Sequence, residues 1–229
     1  MLNHLLELRR RGLQTLIWFG SLFLIFFFLA NDLYRALVSP LLHTLSAQEG
    51  LIATQVTSPV FTPLKLAADA AMLLSAPFAL FQFWRFISPG LYQREQTTLR
   101  IALIFSLVLF LAGVLFCFYL VLPFMFHFFA HALPKGVRYM PDMAYALDFI
   151  TRMLMIFGFC FQVPLICFVL VRLKIIEVMT LKKIRPYVIV GAFIVGMLLT
   201  PPDVFSQVML ATPLCFLYEI GVILAIYLI

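Results

Sequence analysis

Six apolar runs of membrane-crossing length, separated by short basic or turn-rich segments, restrict this chain more than any other feature. Lipid offers the backbone no hydrogen-bond partner, so a hydrocarbon core of about 30 Å is crossed by helices of about 20 apolar residues or by a closed barrel. The runs extend from about Leu13 to Ala30, Leu66 to Trp84, Leu99 to Phe129, Ala146 to Val171, Tyr187 to Thr200 and Val204 to Leu228, the last two joined at Pro201-Pro202-Asp203. They predict an all-α polytopic membrane protein with six transmembrane helices. Only 11% of its 229 residues are charged, against about 25% in a soluble domain. The small-residue cleavage pattern of a signal peptide does not follow the first run, so Arg9-Arg10-Arg11 is read as the head of an uncleaved span.

Orientation follows from lysine and arginine. With the N-terminus inside, the cytoplasmic set is Arg9, Arg10, Arg11, Arg85, Arg94, Arg100, Arg172, Lys174, Lys182, Lys183 and Arg185, which is 11 of the 16 cationic residues. The positive-inside rule therefore places both termini in the cytoplasm. The net charge of +6 is spread over short loops, which excludes a nucleic-acid face and leaves membrane lipid as the surrounding partner.

Span lengths carry further expectations. The third run has about 30 residues, or about 45 Å of helix, and must tilt, bend near Pro123 or protrude. The fifth, with about 14 residues, reaches only about 21 Å and calls for a thinned bilayer or shielded ends. The proline-bearing segment from Asn31 to Lys65 is expected to form an ordered external cap with a short helix near Tyr34 to Leu45. No internal repeat divides the chain, which reads as one domain over residues 1–229.

Polar residues inside the runs are costly and invite explanation. Asp69 follows Lys65 by four residues and Asp148 precedes Arg152 by four, so both read as local helical ion pairs. Gln162 stands immediately before Val163-Pro164, where proline frees a carbonyl; its amide serves that carbonyl, a partner helix or a pocket. Glu219 has no cation one turn away and needs an interhelical partner or a cavity. Asp203 suits the N-cap of the last helix. Met197, Thr200 and Gln207 form a polar patch around the last hairpin, fit to dock another transmembrane helix.

The sequence contains no phosphate-binding glycine loop, nucleophile elbow or zinc-protease histidine pair, so neither enzyme chemistry nor a cofactor is expected. His127 and His131 lie one turn apart but make no convincing metal site alone. Cys117, Cys160, Cys167 and Cys215 lie inside apolar runs and read as small fillers. Two carboxylates remain unexplained by burial: Glu7 within His4-Leu5-Leu6-Glu7-Leu8-Arg9-Arg10-Arg11, and Glu95 after Phe86-Ile87-Ser88-Pro89-Gly90-Leu91-Tyr92-Gln93-Arg94. Topology puts both on the cytoplasmic side, where paired acids on a basic face suggest a seat for a cationic ligand.

These two segments belong to an ordered series with Ala30-Asn31-Asp32-Leu33-Tyr34, Ser58-Pro59, Phe61-Thr62-Pro63-Leu64-Lys65, Ser75-Ala76-Pro77, Arg185-Pro186-Tyr187 and Gly196-Met197-Leu198-Leu199-Thr200-Pro201-Pro202-Asp203. Along essentially its whole length the chain resembles the TatC family, the multispanning core of the twin-arginine protein translocase. The resemblance implies a receptor in the bacterial cytoplasmic membrane for folded cargo bearing an Arg-Arg signal peptide, driven by the proton-motive force. It places the arginine pair against Glu7 and Glu95, and gives Arg9, Phe86 and Pro40 parts in signal recognition or its surrounding architecture. It further implies a multimeric complex with single-span TatB-like and TatA-like subunits near Met197, Thr200 and Gln207. The position of Gln162 is often a glutamate in this family, so a titrating role there is in doubt while a hydrogen-bonding one survives. The competing reading is an ion- or proton-coupled small-solute transporter using Asp69, Gln162 and Glu219, which requires a continuous polar path.

Overall fold

In α1 (Leu2–Phe28) the arginine-rich opening and the first apolar run form one continuous helix. The remaining helices are α2 (Ala30–Leu42), α3 (Ser58–Ile87), α4 (Gln93–Phe116), α5 (Leu122–His131), α6 (Met143–Cys160), α7 (Val163–Arg172), α8 (Val178–Leu199) and α9 (Val204–Tyr227). This computed structural model describes residues 2–42, 50–87, 93–132, 140–199 and 204–227, with side chains placed over 9–42, 50–82, 104–132, 140–198, 204 and 207–227. Among the described residues, Arg9–Phe28, Ser58–Gln82, Ile104–His131, Met143–Arg172 and Gln207–Tyr227 are long and apolar enough to cross a membrane. The fifth sequence run lies in α8, whose first turns carry Lys182, Lys183 and Arg185 and leave only its later part apolar. The expected short helix of the outer cap is α2, which buries Val38, Pro40 and Leu41.

Contacts gather into two compact units: Met1–Ile87 with Val114–Met155, and Ser88–Gly113 with Ile156–Ile229. In the first unit α1 packs on α3, and α2 packs on α3 and α5. The pairing of α1 and α3 is antiparallel, since Arg11 bonds Gln82 while Trp18 meets Phe78 with ring centroids 5.6 Å apart. Leu66, Ala67, Ala71, Leu122, Met125, Ile150 and Met153 are buried there.

The third run departs from a regular helix just before Pro123. One π-helical turn, Cys117–Val121, joins α4 to α5, and the Leu122 N–H donates to the Cys117 carbonyl across it. Such wide turns hold an extra residue inside an α-helix.

At the start of α6 the fold contains a tie that sequence reading missed. Asp142 Oδ1 accepts from the Ala144 and Tyr145 N–H groups at 2.9 and 3.2 Å, capping the helix. Its Oδ2 accepts from the Thr54 hydroxyl at 2.6 Å and the Thr54 N–H at 2.9 Å. Ile52 completes the strap, donating to Pro141 O at 3.1 Å and accepting from Met143 N at 2.9 Å. The Thr54 contacts hold the Asp142 carboxyl down from the ordinary 3.8 to about 2. A depressed folded-state value stabilises above the unfolded one and is lost as pH falls through about 2. Protection of residues 50–57 from hydrogen exchange should therefore be flat above pH 4 and fall between pH 4 and pH 2. Asp142→Ala should remove that dependence and weaken the α6 cap by about 1 kcal/mol; an unchanged acid profile in the variant would assign the effect to another group.

In the second unit α9 packs on both α7 and α8. Cys167, Val171, Leu181, Tyr218, Val222 and Ala225 form one core, and Ala192, Ala211 and Leu214 a second. Tyr218 Oη is satisfied by the Leu181 carbonyl at 2.7 Å. The break between α6 and α7 follows from Pro164, which has no N–H to continue the ladder.

Candidate functional site

The polar groups of the spans are paired, and mostly not with their nearest sequence neighbours. Lys65 does not bridge Asp69: its Nζ lies 2.6 Å from Asp148 Oδ1, across to α6. Asp69 instead accepts from the Thr151 hydroxyl at 3.1 Å. The expected Asp148–Arg152 pair is present but long, at 3.9 Å. The helical spacing made local pairing available; helix packing offered Lys65 a shorter contact on another helix. Around these residues lies a cavity of about 660 Å³, lined by Phe23, Thr62, Lys65, Asp69, Leu147 and Asp148 among others.

Gln162 reaches a partner helix. Its Oε1 accepts from the Ser106 hydroxyl at 2.8 Å, and its Nε2 donates to the Ser106 carbonyl at 2.9 Å. Both residues are buried, so two donors and two acceptors are closed within one pair. An amide alone supplies both halves without a proton change; a carboxylate would face the Ser106 carbonyl with no donor. Gln162→Leu is expected to lower unfolding stability by about 1–2 kcal/mol, given the modest worth of interhelical hydrogen bonds in membranes and the unsatisfied Ser106 left behind. Adding Ser106→Ala should recover part of the loss in a thermal-unfolding double-mutant cycle. Additive losses would show that the pair does not act as one.

Glu219 finds the interhelical partner it required. Arg185 Nη2 donates to Glu219 Oε2 at 2.7 Å. Sequence reasoning gives Arg185 a place in the charge count and in the Arg185-Pro186-Tyr187 segment but does not pair it with Glu219, and it misses Ser106, whose signal is a serine in an apolar run.

At the end of the first unit that begins α1, Arg11 Nη1 donates to the Gln82 carbonyl at 3.0 Å, and Gln82 Nε2 to Gln14 Oε1 at 3.3 Å. Glu7 precedes Arg11 by one helical turn and Phe86 follows Gln82 by one, so the backbone turns bearing them share that end of the α1–α3 pair. The side chains of Glu7, Phe86 and Glu95 lie outside the described residues; Arg9 is exposed. Pro40 is buried in α2, beyond the opposite end of α1, and is not brought to this end. In the last hairpin Met197 is exposed and Gln207 half-buried. Gly196 lets α8 approach α9 there: a Cβ on it would stand 3.3 Å from Gln207 O. Thr200 and Asp203 lie outside the described residues.

These features define a polytopic helical membrane protein in which, among the described residues, Asp69, Asp148, Gln162 and Glu219 each have a partner inside the fold. The model of the family "Sec-independent protein translocase protein (TatC)" matches residues 3–213. A Haemophilus influenzae protein described as Sec-independent protein translocase protein TatC is 42% identical over 98% of this chain and 88% of its own length. Its counterpart from Escherichia coli K12 is 44% identical over 97% of this chain and 86% of its own. A crystal structure of the twin-arginine translocase receptor TatC superposes with a TM-score of 0.86 at 33% identity, covering 97% of each chain. The chain belongs to the TatC family of Sec-independent protein translocase proteins.

Proposed function

We propose that this protein is the noncatalytic receptor of a twin-arginine translocase in the bacterial inner membrane, acting as a single transmembrane domain. Glu7 and Glu95 bind the arginine pair of a folded cargo's signal peptide, with Arg9 and Phe86 beside them. Single-span TatB-like and TatA-like subunits dock at Met197, Thr200 and Gln207 to form the multimeric complex. Guanidinium groups favour bidentate, charge-assisted contacts with carboxylates, and Arg10, Arg11 and Arg94 disfavour generic basic peptides. The observation that carries the reading is the antiparallel α1–α3 pair, whose Arg11–Gln82 contact of 3.0 Å supports one shared end for the Glu7 and Phe86 turns. The transporter reading is weaker because Gln162 and Glu219 are each engaged by a partner, Ser106 and Arg185. The test is photo-crosslinking of an Arg-Arg signal peptide and its Lys-Lys variant to the receptor in membranes. Strong capture of the first and weak capture of the second is expected; equal capture would overturn the arginine-specific seat.

A further inference from the structure

The groove between α8 and α9 encloses about 290 Å³ and is lined by Arg185, Ile189, Phe193, Thr212, Phe216 and Glu219 among others. Its walls are largely apolar, one from the Gln207–Tyr227 span and the other from the apolar later part of α8; its polar end is the Arg185–Glu219 bridge. That bridge uses one guanidinium donor, from Nη2, of the five that arginine carries. The Arg185 Nε–H is buried and has no hydrogen-bond partner among the described residues. That nitrogen is closed to a ligand, but the Arg185 side chain as a whole is 41% exposed, so the outer guanidinium hydrogens beside the groove are open to an added acceptor. Glu219 already balances Arg185, so the excess charge comes from elsewhere. Lys182 precedes Arg185 by three residues and Ile189 by seven, which puts it on the same helical stripe, and it is exposed together with Lys183. Tyr187 is 77% exposed at this level, as tyrosines are at membrane–water interfaces. On the orientation set by the basic residues, this is the cytoplasmic interface, whose leaflet carries anionic lipid.

We propose that this groove binds one anionic phospholipid. Its phosphate accepts from Arg185 with Lys182 and Lys183 alongside, and part of one acyl chain lies against Ile189, Phe193 and Phe216. A phosphodiester supplies the oxygens that a guanidinium fork prefers. The volume sits at the small end of ligand cavities, roughly 300 Å³ upward, whereas a helix about 10 Å across covers a face instead of filling such a groove. The site stands apart from the signal seat and does not rest on the receptor reading.

The test is native mass spectrometry of the purified full chain exchanged with equal phosphatidylglycerol and phosphatidylcholine. About five-fold preferential retention of phosphatidylglycerol is expected, falling to near parity in Lys182→Gln/Lys183→Gln, which leaves the α8–α9 bridge intact. Arg185→Lys, which keeps charge without the fork, should retain an intermediate preference. Equal retention by the unaltered chain, or an undiminished preference in the double lysine variant, would overturn the proposal. A photoreactive residue replacing Phe193 in membranes should gain the mass of a lipid; adducts with a single-span protein alone would assign the groove to a helix instead.

Discussion

A receptor carrying both Glu7→Arg and Glu95→Arg is expected to lose capture of an Arg-Arg signal peptide by roughly 100-fold or more. Each charge-assisted hydrogen bond contributes about 1.5–3 kcal/mol, and 1.4 kcal/mol is a factor of ten in binding. Reversal removes two such acceptors and adds repulsion in a region already rich in arginine. A Glu-Glu peptide should regain capture on the reversed receptor, because the charge complementarity is exchanged rather than destroyed. An unchanged thermal midpoint would separate loss of the seat from loss of the fold. Undiminished capture by the reversed receptor would remove both carboxylates from the binding reaction.

The second large effect is structural. A Cβ on Gly113 would stand 2.6 Å from the Phe157 carbonyl oxygen and 2.9 Å from the Phe161 Cβ and Cγ atoms. A backbone oxygen cannot swing aside as a side-chain tip does, so Gly113→Val should force α4 away from α6. The expected loss is about 3 kcal/mol, at the upper end of overpacking penalties, with Gly113→Ala intermediate. Gly20→Ala supplies the contrast, since a Cβ there meets nothing within 4 Å and alanine is the better helix former by roughly 0.5–1 kcal/mol. Thermal unfolding in detergent reads both, and a Gly113→Val protein as stable as the parent would show that the approach is looser than drawn.

What the sequence disclosed and what it hid divide along physical lines. Span positions were legible because lipid imposes the same demand on every residue of a run, so α3, α6 and α9 lie where hydropathy placed them. Pairing was not legible in the same way. Lys65 lies four residues from Asp69, yet its partner is Asp148, 83 positions away, because nothing in a one-dimensional pattern fixes how helices rotate about their axes. The need of Gln162 and Glu219 for partners was readable from their depth, while the identities of Ser106 and Arg185 required the packing. Asp142 gave no signal beyond its place before an apolar run, and half of its work is done for Thr54.

The π turn at Cys117–Val121 bears on how this helix tolerates changes in chain length. Its hydrogen bond spans one more residue than an α turn, so one residue there is supernumerary to the helical path. Deleting it closes an ordinary turn and leaves Leu122, Met125 and Phe126 facing the core in which they are buried. A deletion elsewhere in α4 or α5 swings every later side chain by about 100°. Loss of a single codon during descent therefore has a sheltered place within the Ile104–His131 span.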